Sequence, residues 1–241
     1  MSQLTVIRHA QASLGKANYD ELSPLGLQQA QLLANYLVEQ NMRFDQIYTG
    51  TLYRHQQTAT AIQKAYQRQR WSYSLIRLSD FNEHQSPKVA KWILQRALSN
   101  EKHKELDFVR EILSKVQSTD PIRQYLAIFD AVAIAWGSGK IDTSATNIEP
   151  FLTFKTRVHT ALQKILIRHQ HGQRICIVTS GGPTAAITGE ALHLTNAKIM
   201  ELNGLVYNGS MTHFLYDADR FSLQQFNSIP HLEERVLRTI V

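Results

Sequence analysis

"ICIVTSGGPTAAI", residues 175–187, is the most informative stretch of the chain. A continuous apolar run closed by Ser180-Gly181-Gly182-Pro183 and followed by small helix formers reads as a buried strand that stops at a turn and hands over to a helix. Upstream, a helical pattern from about Phe151 to His169 leads into this strand through GQR. Three further extended runs repeat the arrangement. QLTVI, residues 3–7, ends at Arg8-His9; FDQIYTGTLYRHQQTATAI carries a strand around Phe44 to Tyr48, a turn at Thr49-Gly50 and a helix with Arg54 in its first turns; WSYSLIRLSDFNEH ends in Asn82-Glu83-His84. In open α/β sheets the carboxyl ends of the strands are where ligands bind.

Ser23-Pro24 predicts an N-cap with proline at the first helical position, and Leu25, Leu32, Leu33, Tyr36 and Leu37 supply the stripe that follows. LVYNGSMTHFLY and FSLQQFNSI are a last pair of extended runs. From about Ser86 to Thr146 the alternation gives way to helical periodicity, with KVAKWILQRAL, KELDFVREILSKV and the apolar YLAIFDAVAIAW. No internal repeat is visible. The expectation is one domain over 1–241: a three-layer α/β/α sandwich with a central, mostly parallel sheet and a helical cap insertion over about 86–146. The apolar stripes of the insertion read as packing rather than a cofactor box, with the insertion lying over the mouth of the pocket.

A chain of 241 residues buries roughly 70 to 75% of its unfolded surface, enough for a core without disulfide or metal. With 43% hydrophobic and 19% charged residues the composition is that of an ordinary globular protein, which excludes disorder and fibres. The net charge of +6 suits either nucleic acid or a polyanionic small molecule, but the 26 Lys and Arg are scattered and no nucleic-acid motif accompanies them. Cys176, the single cysteine, lies in the apolar run and reads as a buried, inert thiol. The start MSQLTVIRHA carries no charged leader and apolar stretch, and no eighteen apolar residues run together, so a cytoplasmic protein without a membrane partner is expected.

Three separate strand ends each present a distinctive polar set, Arg8-His9, then Arg54 just past Thr49-Gly50, then Ser180-Gly181-Gly182 at a helix start, with Glu83 as a further candidate. Two guanidinium forks, an imidazole and a helix N-terminus are the parts that hold a phosphate dianion, and a carboxyl group beside them suits an acid. These blocks resemble the histidine phosphatase superfamily, which includes the cofactor-dependent phosphoglycerate mutases. VIRHAQAS is similar to its Arg-His-Gly signature, YTGTLYRHQQTA to its second block, DFNEHQ to the segment supplying its acid, IVTSGGP to its closing block and ELNGLVYNGSMTHFLY to the strand after it.

The resemblance implies that His9 is the nucleophile, that Glu83 protonates the leaving oxygen, and that Arg8, Arg54, Ser180 and Gly181 bind the phosphoryl group, with no cofactor or metal. The expected partner is a small phosphorylated substrate, and neither nucleic acid nor membrane. Two positions depart from the pattern. Ala10 replaces the usual glycine, a small change, and Ser180 stands where the closing block normally has a second histidine. Ser180 then reads as a weakened phosphate ligand, helped by the Gly181 and Gly182 N–H groups or by a histidine from the insertion. His55 reads as a helix-surface residue, and His169 with His171 as a polar helix end rather than a metal pair.

Three functions follow as alternatives. The leading one is a phosphatase acting on a small phosphoester through a phosphohistidine intermediate, mutase activity being the less favoured variant of it. A serine hydrolase would use Ser180 with Asp217 or Asp219 and His231, although Val178 occupies the first glycine position of G-x-S-x-G and Arg8, His9 and Arg54 go unexplained. A non-catalytic phosphate-binding or regulatory protein would keep the pocket without turnover.

Overall fold

The structure, a computed structural model, describes residues 1–13, 19–98, 107, 111, 114, 121–144, 146–169 and 172–240. Its strands are β1 (Ser2–Arg8), β2 (Gln46–Thr49), β3 (Ser74–Arg77), β4 (Arg174–Thr179), β5 (Met211–Tyr216) and β6 (Phe221–Ser228). They form one sheet in the order β3-β2-β4-β1-β5-β6. The first four strands are mutually parallel where they pair, β5 runs antiparallel to β1, and β6 antiparallel to β5. Helices cover both faces: α1 (Pro24–Glu39), α2 (Tyr53–Arg68), α3 (Ser86–Leu98), α4 (Pro121–Gly137), α5 (Phe151–Arg168), α6 (Gly181–Ala191) and α7 (Asn196–Asn203).

The period of two along a strand explains the three layers. On β1, Val6 faces one core and Ile7 the other; on β4, Ile175 and Ile177 face the first and Cys176 and Val178 the second. The first core is closed by Phe154, Val158 and Leu162 of α5 and Ala185 of α6, the second by Leu33 and Leu37 of α1 and Ile62 and Tyr66 of α2. A strand buried on both sides has no polar alternation, which is why ICIV and LTVI read as continuous apolar runs. Burial pushes the free Cys176 thiol upward in pKa, in keeping with an inert residue.

Ser23 caps α1 as its sequence predicts, with extended backbone and its Oγ accepting from Gly26 N at 2.9 Å. The buried face of α1 differs from the leucine stripe: Gly26, Gln29, Ala30 and Ala34 lie beside Leu33 and Leu37, whereas Leu25, Leu32 and Tyr36 are half-buried. Gln29 tolerates full burial because its amide donates to Leu237 O and Thr239 Oγ1 and accepts from Gln11 N.

α3 and α4 fall within the expected insertion, most of 99–120 lying outside the described residues. They give Val89, Ala90, Ile93, Val132, Ala133 and Trp136 to the same core as α5 and α6. Two other runs are shorter than expected. The third strand spans only Ser74–Arg77, followed by a 3-10 turn at Ser79–Phe81, and the run from Leu205 becomes a strand only at Met211 because Gly209 turns the chain at φ +72°. No helix among the described residues is long and apolar enough to cross a membrane.

Candidate active site

Parallel pairing brings the ends of β1, β2 and β4 together. His9 N donates to Thr179 O at 2.7 Å, and Gly50 N donates to Val178 O at 3.1 Å. The turn before β5 clamps the other side of His9: Gly209 N reaches the carbonyls of Arg8 and His9, and Asn208 Nδ2 the carbonyl of His9. Hydrogen bonds to its backbone thus hold the residue from both flanks, and His9 is 3% exposed.

The imidazole of His9 is oriented by its own chain. Nδ1 lies 2.6 Å from Ala10 O, an acceptor only, so Nδ1 carries the hydrogen and the lone pair sits on Nε2. That lone pair meets Arg54 Nε at 3.1 Å. Burial, then Arg54, His55 and Arg8, hold the His9 pKa well below the usual imidazole range, so the ring is neutral at pH 7.

Arg54 enters from the first turn of α2 and is buried. Leu52 at the N-cap has no side-chain acceptor, and Asp20 supplies one: Oδ2 accepts from Tyr53 N at 2.8 Å while Oδ1 pairs with Arg54 Nη1 at 2.6 Å. Arg8 donates from Nη1 to Val206 O, and its buried Nε has no protein partner. An ideal Cβ on Gly181 would lie 3.6 Å from that Nε, so Arg8 faces the start of α6.

Glu83 closes the site. Its carboxylate accepts from Gly182 N at 3.1 Å, in the first turn of α6. Burial alone would raise its pKa, but His84, Arg54, the His84 N–H and Arg8 outweigh this and the net direction is down. Arg157 of α5 shapes the loop that carries it: Nη1 donates to Asp80 O at 2.6 Å and to Asn82 O at 2.9 Å, while a two-point pair with Glu149 holds the guanidinium. Asn82 in turn bonds Thr51 through both side-chain atoms, tying the Glu83 loop to the start of α2.

Ser180 is fully buried at the N-cap of α6 without capping the helix. Its Oγ lies 2.6 Å from Nε2 of His55, whose ring centroid is 5.5 Å from that of His9. His55 is therefore not a surface residue: it is 0% exposed, and burial followed by Arg54 pushes its pKa well down. The signal was present in the helical period, because 55, 59, 62 and 66 fall on one face and Ala59, Ile62 and Tyr66 are core residues. The imidazole beside Ser180 comes from α2, not from the insertion.

All six sequence candidates, Arg8, His9, Arg54, Glu83, Ser180 and Gly181, converge on this corner. The model of the histidine phosphatase superfamily, branch 1, matches residues 4–86 and 93–229. The chain belongs to the histidine phosphatase superfamily. Solved structures share the fold: a phosphoglycerate mutase from Bacillus anthracis (16% identity, 96% of this chain and 95% of that one, TM-score 0.61), the alpha-ribazole phosphatase of Shigella flexneri (20%, 94% and 96%, 0.60) and a phosphoserine phosphatase of Entamoeba histolytica in complex with 3-phosphoglyceric acid (20%, 96% and 100%, 0.56). Among curated proteins no match was found.

Within this histidine phosphatase fold the residues of a serine-hydrolase triad stay apart. Ser180 pairs with His55; His231 packs on Tyr36, and Asp217 pairs with Arg220 in the β5–β6 turn. His55 Nδ1 also lacks the carboxylate that would orient a catalytic base. His169 is the helix end that the sequence predicts, the C-cap of α5, and it is buried: Nε2 meets Tyr48 Oη at 2.7 Å and Nδ1 meets Gln173 Oε1. His171 lies outside the described residues, and no metal-binding group occurs among the described residues.

Proposed function

We propose that the protein hydrolyses a small phosphomonoester through a phosphohistidine on His9. The observation that carries this reading is the fixed tautomer of His9, with Nδ1–H on Ala10 O and a neutral Nε2 lone pair beside Arg54. An imidazole kept neutral by burial and two guanidinium groups is a nucleophile at physiological pH.

The phosphoryl group binds between Arg8 and Arg54, with Ser180 and Gly181 at the start of α6. Nε2 attacks phosphorus as the ester P–O bond breaks, and Glu83 protonates the departing oxygen. In the free site Glu83 is ionised; an arriving dianion repels that charge and engages the arginines that stabilise it, which raises its pKa, so that the carboxylate takes up from solvent the proton it then gives to the departing oxygen. Water then attacks phosphorus, the N–P bond breaks, Glu83 takes the water's proton, and inorganic phosphate leaves with His9 restored. The two arginines neutralise charge on the transferring group throughout, which is where most of the catalysis in phosphoryl transfer lies.

Hydrolysis of an aryl phosphate from pH 4.5 to 8, by the wild type and His9→Ala, tests the reading. Turnover that vanishes in the variant, with an acid-labile phosphoprotein trapped in the wild type, supports it; equal turnover in both overturns it. Phosphate release without an added acceptor separates phosphatase from mutase. A second reading, phosphate binding without turnover, is favoured by Ser180 at the position of the closing block's second histidine; vanadate binding with no hydrolysis would establish it.

A further inference from the structure

His9 and His55 are buried imidazoles with ring centroids 5.5 Å apart, and of the two only His9 has a place in the chemistry above. We propose that His55 is a positioning residue: it donates from Nε2 to Ser180 Oγ and so aims the Ser180 hydroxyl, as a directed donor, at the phosphoryl group beside His9. The proposal rests on the phosphohistidine reading and concerns how the phosphoryl oxygens are held.

The direction of the bond follows from the far side of the ring. His55 Nδ1 is buried with no partner, and an ideal Cβ on Gly50 would lie 2.2 Å from it, so that nitrogen packs directly on the glycine. Buried N–H groups without an acceptor are rarer than unfilled lone pairs. Nδ1 therefore carries the lone pair and Nε2 the hydrogen, which goes to Ser180 Oγ at 2.6 Å. Ser180 is then an acceptor from His55 and keeps its own hydrogen. The helix does not use that oxygen, since Ser180 makes no side-chain cap bond on α6. A bare serine hydroxyl rotates among three staggered positions, and a fixed donor on its oxygen removes that freedom. A Cβ at Gly50 would collide with the ring, so the glycine leaves it room, and the ring centroid 5.5 Å from that of His9 puts it beside the nucleophile.

Orthovanadate binding by calorimetry, on wild type, Ser180→Ala, His55→Ala, His55→Gln and the double alanine variant, tests this. Each single alanine change is expected to weaken vanadate by about 10- to 100-fold, the worth of one hydrogen bond to a charged group. The double variant is expected to match Ser180→Ala within about threefold, because one residue acts through the other. His55→Gln, which keeps a donor, is expected to recover most of the affinity. Long-range proton–nitrogen spectra of the wild type should show His55 protonated on Nε2, with that signal moving in Ser180→Ala.

Wild-type affinity in His55→Ala, losses that multiply in the double variant, or a proton on Nδ1 would each overturn the proposal. Where His55→Ala does not fold, the wild-type spectrum and His55→Gln decide it. Failure of the phosphohistidine reading looks different: His9-independent turnover, no turnover by a wild type that binds vanadate, or no vanadate bound by the wild type. A wild type that binds vanadate with an additive cycle fails this inference alone.

Discussion

β1 and β4 lie side by side, with Arg8 opposite Thr179, and each ends in a residue at the heart of the site: His9 on one, Ser180 on the other. His9 is oriented by a bond to the neighbouring residue, Ala10, whereas the Ser180 hydroxyl meets a side chain 125 positions away on α2. In what orients the side chain, one end is self-contained and the other borrowed. A bond within one segment can be read along the chain, whereas a bond between distant segments exists only once the sheet has formed.

The sharpest break of the comparison is at the self-contained end. His9→Ala removes the proposed nucleophile while leaving the backbone clamp of Thr179, Asn208 and Gly209 intact, so a folded protein with turnover lowered on the order of 10⁴-fold or more is expected. Steady-state hydrolysis of an aryl phosphate beside a thermal melt checks both halves. A melt unchanged within a few degrees with turnover lost would show that the His9 side chain serves chemistry rather than folding.

The borrowed end breaks through Gly182. A Cβ there would lie 2.2 Å from Glu83 Oε1 and 2.3 Å from His84 Cδ2, and the His84 ring is packed against Trp136 and Phe154 with centroids 5.6 and 5.3 Å away. The ring has little room, so Glu83 must leave the Gly182 N–H. Gly182→Ala is expected to lower kcat by about 10², the worth of a positioned general acid. The loss should be large for an alkyl phosphate and small for p-nitrophenyl phosphate, whose leaving group needs no proton. Equal losses on both would place Glu83 outside the acid role.

Much of the comparison was legible beforehand. Continuous apolar runs ending in Arg8-His9 and in Ser180-Gly181 announced strands buried on both faces, and the polar residues at their ends marked the ligand edge of the sheet. Ser23-Pro24 announced a cap because its bond closes over three residues. What escaped were contacts between distant segments: Asp20 capping α2, Asn82 gripping Thr51, Arg157 reading the carbonyls of the Glu83 loop, and His55 on Ser180. Polar residues in such roles look like surface residues in one dimension. His55 is the instructive miss, since the apolar positions 59, 62 and 66 already put it on the buried face.

A pH titration of stability sharpens the contrast between neutral and charged burial. The pKa of His9 and of His55 is well below 6.5, chiefly through burial, and that of His231 is lowered to about 4 for the same reason. Between those values and 6.5 the unfolded chain binds more protons than the native one, so stability is full above about pH 6.5 and falls as the pH drops towards 4. Urea midpoints at pH 7.5, 6, 5 and 4 should decline in that order. His231→Gln, remote from the nucleophile, should flatten part of the decline without altering turnover at pH 7; an unchanged slope would mean that His231 is protonated in the native state.

The smallest effect belongs to the most local bond. Ser23 Oγ accepts from Gly26 N at 2.9 Å and lies 2.7 Å from Gln11 Oε1, two residues beyond His9. Losing a cap costs about 1 kcal/mol, which shifts the melting temperature of a chain this size by roughly 2 to 4 °C. Ser23→Asp keeps an acceptor for Gly26 N but cannot donate to Gln11. If the cap alone matters, Ser23→Ala melts a few degrees lower, Ser23→Asp melts like the wild type, and both keep full kcat. If the Gln11 contact steadies the segment after His9, Ser23→Asp melts normally yet loses turnover, and the first end of the comparison would no longer be self-contained.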